Sequence, residues 1–177
     1  ESVSPLVSVI IATYNYSSVL KYAVKSVLWQ TYQHFELWVI GDGCTDDSEA
    51  VVQSFGDPRI HWHNLPENSG SQSGPNNTGI KLAQGEYIAY LGHDDLWYPN
   101  HLEVLVKALE ESRADAAHSL LMGIWPDSPN HTIYGISSTG QHETTLETPP
   151  SCVMHRRDMV ETTGDWRDYR TLRVPPD

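Results

Sequence analysis

The sequence predicts an α/β fold, in which a mainly parallel sheet is flanked by helices within a single domain. Short apolar runs, many of them rich in β-branched residues, alternate with segments whose apolar residues recur every three or four positions. This order is typical of parallel strands, which need long crossover connections. A length of 177 residues is within the range of one domain.

The sequence predicts five strands before Gly123. Residues Val7 to Ala12 form a β-branched, largely apolar run, as expected of a strand that is buried on both faces of a sheet. Asp-Gly and Asn-rich segments that favour turns separate the later apolar runs from the helices. The other predicted strands are Phe35 to Ile40, Arg59 to Asn64, Tyr87 to Leu91 and Ala114 to Met122.

Four helices are predicted between these strands. The first follows the Ser17–Ser18 pair and the second follows the Asp46–Asp47 pair, because both residue types cap helices. The third runs from Asn76 to Ala83, and the fourth begins near Pro99, a residue that suits a first helical turn. The first and fourth helices carry apolar residues at helical spacing, namely Leu20, Ala23, Val24, Val27, Leu28, Leu102, Leu105, Val106 and Leu109.

The alternating pattern weakens after Gly123. Residues 126–150 are rich in Pro, Ser, Thr and Gly and are predicted to form a loop. A strand from Ser151 to His155 and a short helix from Arg157 to Thr163 are predicted to follow. The chain has no initiator Met and stops abruptly at Asp177, so we expect a truncated second half.

Composition excludes several classes of protein. A net charge of −12 argues against nucleic-acid binding, because phosphate neutralisation needs a basic surface, although a small phosphorylated ligand remains compatible. No apolar run is long enough for a transmembrane helix. Cys44 and Cys152 make neither a disulfide framework nor a zinc motif. A reducing compartment, the cytoplasm, is therefore expected.

Polar residues gather where the predicted strands end. Thr13–Asn15 follow the first strand, Asp42 follows the second, Asn64 ends the third, and His93–Asp95 follow the fourth. Ligands of open parallel sheets bind beyond the carboxyl ends of the strands. Four polar clusters at one predicted edge therefore indicate a binding site.

Asp94 and Asp95 predict a metal site. Two adjacent carboxylates repel each other unless a cation lies near them. Mg²⁺ and Mn²⁺ prefer such oxygen ligands, usually with phosphate oxygens and water completing the coordination shell. A turn that caps the next helix is the alternative. His93 and His155 are further candidates for metal ligands.

Asp42 and the loop of residues 68–74 are weaker signals. Asp42 is either a turn residue or a carboxylate that accepts hydrogen bonds from a base or ribose. The loop has neither the dinucleotide fingerprint nor the P-loop spacing, but its backbone N–H groups could hold phosphate. Asn77, near the start of the third helix, is either a cap or a ligand contact.

Taken in order, these segments resemble family 2 glycosyltransferases. The resemblance is carried by VSVIIATYN, LWVIGDGCTDDS, NSG with NNTGI, and QGEYIAYLGHDDLWYPNHLE. Residues Cys152 to Trp166 are similar to the acceptor-side strand and helix of that family. The resemblance covers almost the whole chain. It implies the GT-A fold, a nucleotide-sugar-binding half at residues 1–122 and an acceptor-side half at residues 123–177.

The resemblance also implies an inverting transferase that uses a nucleotide-diphosphate sugar, usually a UDP-sugar, and Mn²⁺ or Mg²⁺. Asp42 matches the carboxylate that reads the base, while Asp94 and Asp95 match the end of the metal and diphosphate motif. The acceptor is an unidentified glycan, lipid or protein, and peripheral association with the inner face of a membrane is compatible with this activity. The implied nucleotide-binding residues are Ala12, Thr13, Tyr14, Asp42, Asn77 and Asp94.

Two positions depart from the family pattern. Gly92 stands where the metal motif usually begins with Asp, so one carboxylate is missing. Asn76 stands where an Arg often precedes the Asn of the third helix, so a cationic contact to the diphosphate is missing. Both departures predict weaker binding of the metal and the diphosphate.

Inverting transfer needs a carboxylate that deprotonates the acceptor hydroxyl. Asp177 is the nearest match to the base of the family, with Asp165 and Asp168 as competitors. Two other functions stay open. The first is a module that binds nucleotide sugar without turnover. The second is a sugar nucleotidyltransferase, which would want a basic glycine-rich loop that the first strand lacks.

Overall fold

The computed structural model describes residues 4–125, 131–135 and 148–171. Most of the apolar runs form strands and most of the amphipathic segments form helices, as predicted. The strands are β1 (Val7–Thr13), β2 (Phe35–Gly41), β3 (Ile60–Asn64), β4 (Tyr87–Gly92), β5 (Ala116–His118), β6 (Leu121–Ile124), β7 (His131–Tyr134) and β8 (Val153–Arg156). The α-helices are α1 (Ser17–Leu28), α2 (Ser48–Gln53), α3 (Ser73–Leu82), α4 (His101–Ser112) and α5 (Met159–Thr163).

Six strands form one mainly parallel sheet in the order β3-β2-β1-β4-β8-β5. β1, β2, β3 and β4 are parallel, and β8 runs antiparallel between β4 and β5. The predicted fold class is therefore confirmed. Because β8 runs in the opposite direction, its first residues and the preceding turn lie at the carboxyl end of β4.

Apolar side chains cover both faces of this sheet. On one face, buried residues of α1 and α4 pack against the strands, as their helical spacing predicted. On the other face, Ile10, Ile88 and Tyr90 pack beside α3 and Trp166. A Cβ atom on Gly79 of α3 would lie 2.6 Å from a methyl group of Ile10, so glycine allows this helix to lie close to β1.

The predicted fifth strand, Ala114 to Met122, is wrong in its extent. It is two strands, and only β5 belongs to the main sheet. The backbone N–H of Ser119 donates to the carbonyl of Cys152, at 2.9 Å, and the chain then leaves the sheet. β6 pairs instead with β7, which lies inside the segment predicted to be a loop. This pairing supplies the backbone hydrogen bonds that residues 121–124 would otherwise lack.

The third helix begins earlier than predicted. α3 starts at Ser73 and includes Pro75 in its first turn, where a missing N–H costs no hydrogen bond. Asn77 lies in the second turn, so the alternative that it caps this helix is wrong. The predicted strand at Ser151 to His155 begins as a 3₁₀ turn, Pro150–Cys152, before β8.

Candidate functional site

The carboxyl ends of the strands surround a cavity of about 240 Å³. The parallel strands of the sheet bring their last residues to one edge, and the turn before β8 closes the cavity on the side of β4. Its lining residues are Ala12, Gln72, Asn76, Tyr90, Leu91, Gly92, His93, Asp94, Asp95, Pro150 and Ser151.

The carboxylates of Asp94 and Asp95 converge on Gly92. A Cβ atom placed on Gly92 would lie 3.2 Å from Oδ1 of Asp94 and 2.8 Å from Oδ2 of Asp95. Oγ of Ser151 donates a hydrogen bond to that Asp95 oxygen and accepts one, at 2.8 Å, from the backbone N–H of Gly92. Ser151 therefore fixes Asp95 against the end of β4, while the Asp94 side chain is exposed.

Asp42 is buried at the end of β2, with 5% of its surface exposed. Its Oδ1 accepts a hydrogen bond from the backbone N–H of Ser69 at 2.9 Å, and its carbonyl accepts one from Nδ2 of Asn68 at 3.2 Å. Among the described residues, Oδ2 has no hydrogen-bond partner. The loop of residues 68–74 is thus tied to Asp42, and one carboxylate oxygen of Asp42 stays without a protein partner in the described residues.

The end of β1 joins Asp42 to the carboxylate pair. The strand register places Thr13 beside the end of β2 and Ala12 beside the end of β4. Thr13 is buried, and its Oγ1 has no hydrogen-bond partner within the described segments. Tyr14 exposes 49% of its surface, so its ring is available to stack on a planar ligand.

Asn15 and Asp46 connect the loops after β1 and β2. Oδ1 of Asn15 accepts the backbone N–H groups of Thr45 and Asp46, at 2.8 Å and 3.2 Å. Asp46 in turn accepts the backbone N–H of Ser17, the first residue of α1, and that of Ser48, the first residue of α2. Burial acts to raise the pKa of the Asp46 carboxyl, but these hydrogen bonds outweigh it and hold the pKa below its ordinary value. Asp46, predicted to cap α2, therefore accepts hydrogen bonds from the first residues of both helices.

Asn77 binds the backbone of a residue that is 89 positions later in the chain. Its Nδ2 donates to the carbonyl of Trp166 at 3.0 Å, and its Oδ1 accepts the backbone N–H of Trp166 at 2.8 Å. Both polar groups of the side chain are engaged. Its assignment as a nucleotide contact stays a prediction, and its contacts in the structure are with the backbone of Trp166.

Tyr90 connects this cavity to a second one of about 300 Å³. Its hydroxyl lies 2.8 Å from Nε2 of His155, whose Nδ1 lies 2.7 Å from the carbonyl of Arg156. A carbonyl only accepts, so Nδ1 carries the proton and Nε2 accepts from the Tyr90 hydroxyl. The second cavity is lined by Tyr90, Thr148, Pro150, Val153, His155, Met159, Val160, Thr163, Gly164, Asp165 and Trp166.

Burial sets the protonation states in this hydrogen-bonded chain. It raises the pKa of Tyr90 to about 12, so the phenol keeps its proton. It lowers the pKa of His155, although the hydrogen bond to the Arg156 carbonyl acts in the opposite direction. Because both ring nitrogens of His155 are engaged, the structure does not offer this residue to a metal. Nδ1 of His93, in contrast, is buried without a partner among the described residues.

The candidates for the base lie in different surroundings. Asp168 accepts hydrogen bonds from Arg170, and these lower the pKa of its carboxyl below the ordinary value. Such a carboxylate is a weak proton acceptor. Asp165 is exposed and lines the second cavity. Asp177 lies outside the described residues, so its predicted role stays a prediction.

The residues at the end of β4 fit a divalent cation only in part. Residues 4–125, 131–135 and 148–171 contain no group of three or more His, Cys, Asp or Glu side chains arranged to hold a metal. Asp94 and Asp95 nevertheless converge, and Mg²⁺ or Mn²⁺ is commonly held by one or two carboxylates together with substrate phosphates. None of the helices in those ranges is both long enough and apolar enough to cross a bilayer.

Comparison with known proteins gives the family. The profile described as "Glycosyl transferase family 2" matches residues 8–161. GlyG, a glycosyltransferase of Streptococcus pneumoniae, is 31% identical over 98% of this chain and 55% of its own length. The Escherichia coli UDP-Glc:alpha-D-GlcNAc-diphosphoundecaprenol beta-1,3-glucosyltransferase WfgD is 33% identical over 73% of this chain and 49% of its own. The chain thus spans about half the length of these two relatives, and 33% of a more similar glycosyltransferase from Rickettsia typhi.

Solved structures give the fold. Staphylococcus aureus TarS 1–349 in complex with UDP-GlcNAc superposes with a TM-score of 0.74 at 20% identity, over 89% of this chain and 47% of that one. The mannosyltransferase PcManGT of Pyrobaculum calidifontis, in complex with GDP-Man and Mn²⁺, superposes with a TM-score of 0.72 at 19% identity, over 94% of this chain and 48% of that one. The predicted GT-A fold is confirmed by these similarities.

Proposed function

We propose that this chain, which belongs to glycosyl transferase family 2, binds a nucleotide-diphosphate sugar at the carboxyl edge of its sheet and transfers the sugar to an acceptor hydroxyl. We assign residues 1–122 to the donor and residues 123–177 to the acceptor. UDP-sugars are the preferred donors, because Asp42 matches the carboxylate that reads uracil. GDP-sugars are a second possibility, since one neighbour of the same fold was solved with GDP-Man.

The observation that carries this proposal is the placement of two acidic sites on either side of β1. Asp42 ends β2 with one carboxylate oxygen uncommitted, and the convergent Asp94 and Asp95 follow β4. Tyr14 extends from the end of β1, between those strands. A nucleotide diphosphate has the matching parts: a planar base with N–H donors at one end and two phosphates that bind cations at the other.

Asp94 and Asp95 are the residues that would hold Mn²⁺ or Mg²⁺. When bound, the cation would neutralise the negative charge that gathers on the departing diphosphate. Gly92 limits the site to these two carboxylates. A Cβ there would lie 2.8 Å from Oδ2 of Asp95, so an Asp at this position would displace the Asp95 carboxylate from Ser151.

The reaction proposed is a single displacement at the anomeric carbon. The bond from that carbon to the acceptor oxygen forms while its bond to the diphosphate oxygen breaks. The hydroxyl proton passes to a carboxylate, for which Asp177 is the proposed base and Asp165 the alternative. Asp168 is a poor candidate because Arg170 already donates to it. Single displacement inverts the configuration of the sugar.

Gly92 also favours a second function, in which the chain binds nucleotide sugar without turnover. The missing third carboxylate weakens the site that would stabilise the leaving group. Release of UDP from UDP-sugars, compared with binding of the same donors, separates the two functions. Binding without release of UDP, with or without candidate acceptors, would favour the binding module.

Titration calorimetry with UDP, with and without Mn²⁺, tests the donor site. We expect Mn²⁺ to strengthen UDP binding to the wild-type chain and to have little effect on Asp94→Asn. Asp47→Asn is the matched control, because Asp47 is an exposed aspartate that makes no capping hydrogen bond. Asp94→Asn with unchanged metal dependence would contradict the assignment. Absence of UDP and GDP binding to the wild-type chain would contradict the proposed function.

A further inference from the structure

Arg170 lies over the loop that covers Asp42. Its Nη2 donates a hydrogen bond to the carbonyl of Ser69 at 2.7 Å. Gly70 has a φ of +77°, a conformation that favours glycine, and a Cβ atom there would force Nη1 of Arg170 to move. An arginine of the acceptor-side half thus packs on the donor-side loop.

The hydrogen bonds of Arg170 leave one nitrogen unused. Nε and Nη2 donate to the carboxylate of Asp168, at 2.5 to 3.0 Å, and Nη2 also donates to Ser69. A guanidinium has five N–H groups, and the two on Nη1 have no partner in the part of the chain that the structure describes. The side chain is half exposed, so a ligand can reach these donors.

One residue, Ser69, joins Arg170 to Asp42. Its backbone N–H donates to Oδ1 of Asp42 at 2.9 Å, while its carbonyl accepts from Nη2 of Arg170. Asp42, whose Oδ2 has no partner among the described residues, and Arg170, whose Nη1 has none either, therefore both contact the backbone of this loop, and Nη1 lies over Gly70.

We propose that Arg170 contacts the base of the donor nucleotide and, together with Asp42, determines which bases bind. This inference rests on the proposed function and deepens it. Asp42 accepts a hydrogen bond from a ring N–H, and Arg170 donates one to the carbonyl oxygen next to that N–H. It also gives the donor site a cationic residue, which Asn76 does not supply.

The chemistry of the bases fits this pair of groups. Uracil carries an N3–H beside its C4 carbonyl, and guanine carries an N1–H beside its C6 carbonyl. Adenine and cytosine have the opposite pattern, in which an unprotonated ring nitrogen lies beside an amino group. The acceptor of Asp42 and the donor of Arg170 therefore favour uracil and guanine. With adenine or cytosine, the acceptor of Asp42 would face an unprotonated ring nitrogen, and the donor of Arg170 would face an amino group.

The test compares Arg170→Ala with Arg167→Ala, its exposed neighbour three residues earlier. Binding of UDP, GDP and ADP is measured by calorimetry, and binding of uridine by ligand-observed NMR. We expect Arg170→Ala to weaken UDP, GDP and uridine by about tenfold or more each, and to leave ADP unchanged. Arg167→Ala should bind all four like the wild-type chain.

Uridine separates a contact to the base from a contact to phosphate, because it has no phosphate. If Arg170→Ala weakens UDP and ADP equally and leaves uridine unchanged, Arg170 contacts phosphate and the proposal is wrong. Unchanged UDP binding overturns it as well. If Arg170→Ala lowers the Tm without nucleotide and weakens the binding of every base equally, the role of Arg170 is merely structural. If the wild-type chain binds UDP, each of these results overturns only the inference about Arg170 and leaves the proposed function intact.

Discussion

The two carboxylate oxygens of Asp42 differ in their contacts. Oδ1 holds the backbone of Ser69, which a buried turn residue would also do. Oδ2 has no partner among the described residues and is not sealed from solvent, so water or a ligand can reach it. From the sequence, a turn and a ligand contact were both open for Asp42. The structure shows the turn contact, and the ligand contact stays a prediction.

Asp42→Asn separates these two contacts. The amide oxygen of the substituted side chain can still accept from Ser69, but its NH₂ group meets the N–H of the base and cannot accept from it. We expect UDP to bind about ten to a hundred times more weakly, corresponding to the roughly 1.5–3 kcal/mol of a hydrogen bond to a charged group. The Tm without nucleotide should stay close to that of the wild-type chain. Calorimetry and thermal denaturation check this, and a lower Tm with unchanged UDP affinity would show a turn residue only.

Asp177→Asn tests the proposed base. An amide of the same shape cannot take the proton of the acceptor hydroxyl, so turnover should fall by at least about a hundredfold. UDP-sugar binding should be unchanged, because the base faces the acceptor. Release of UDP from a UDP-sugar, followed with Asp165→Asn in parallel, measures this. Full activity of Asp177→Asn together with an inactive Asp165→Asn would move the role to Asp165.

At the scale of the elements, local patterns predicted the first four strands and the helices between them. Their apolar runs and the turn residues between them lie within a few residues of one another, so a single sequence contains the signal. The predicted Ser17 or Ser18 cap is wrong, because α1 begins at Ser17 and Tyr16 precedes it. β5, β6 and β7 were not predicted correctly, because which short strand pairs with which depends on contacts distant in sequence. For the same reason the sequence did not show that Asn77 binds Trp166 or that Ser151 binds Asp95.

Asn77→Ala tests the connection between α3 and the acceptor-side segment. The variant leaves the backbone N–H and C=O of Trp166 without partners, so we expect a loss of about 1–3 kcal/mol in the free energy of unfolding. Asn77→Asp should not restore the loss, because a carboxylate cannot donate to the Trp166 carbonyl. Urea denaturation measures both variants against Lys81→Ala, an exposed position of the same helix. Stability equal to that of Lys81→Ala would show that the connection contributes nothing.

At the scale of the whole molecule, the chain combines a net charge of −12 with a binding edge that is itself acidic. Asp42, Asp94 and Asp95 lie on this edge, and a diphosphate adds further negative charge. A divalent cation is the group proposed to offset the charge of the phosphates, while Arg170 is proposed to lie at the base, near Asp42. An acidic edge of this kind predicts donor binding that depends on metal, as the sequence already indicated. The sequence alone did not point to Arg170, because its contact with Ser69 joins residues 101 positions apart.

Stability of the whole chain should fall between pH 6.5 and pH 4. Burial lowers the pKa of His101 to about 4 and lowers that of His155, so the unfolded chain takes up these protons before the folded chain does. Their contribution is therefore present above about pH 6.5 and is lost as the pH falls through this window. Carboxyls with lowered pKa values, such as Asp57 and Asp168, lose their contributions only below about pH 4.

His101→Phe tests this pH dependence. The ring of His101 stacks on Trp97 at 4.3 Å, and its buried Nε2 has no partner within the described residues, so Phe keeps the packing and loses no hydrogen bond there. We expect the Tm to change little at pH 8 and to fall less than that of the wild-type chain at pH 5. His63→Gln, at an exposed position, is the control. If the difference in Tm between pH 8 and pH 5 is the same for His101→Phe as for the wild-type chain, His101 does not contribute to this pH dependence.

The central claim is that one edge of the sheet binds the base at Asp42 and the metal at Asp94 and Asp95. A crystal structure of the chain with UDP and Mn²⁺, with anomalous diffraction data to locate the manganese, tests it most directly. We expect an anomalous peak within about 2.0–2.3 Å of carboxylate oxygens of Asp94 or Asp95 and of phosphate oxygens. We also expect the uracil N3–H within hydrogen-bond distance of Asp42. UDP bound elsewhere, or manganese bound away from both aspartates, would contradict it.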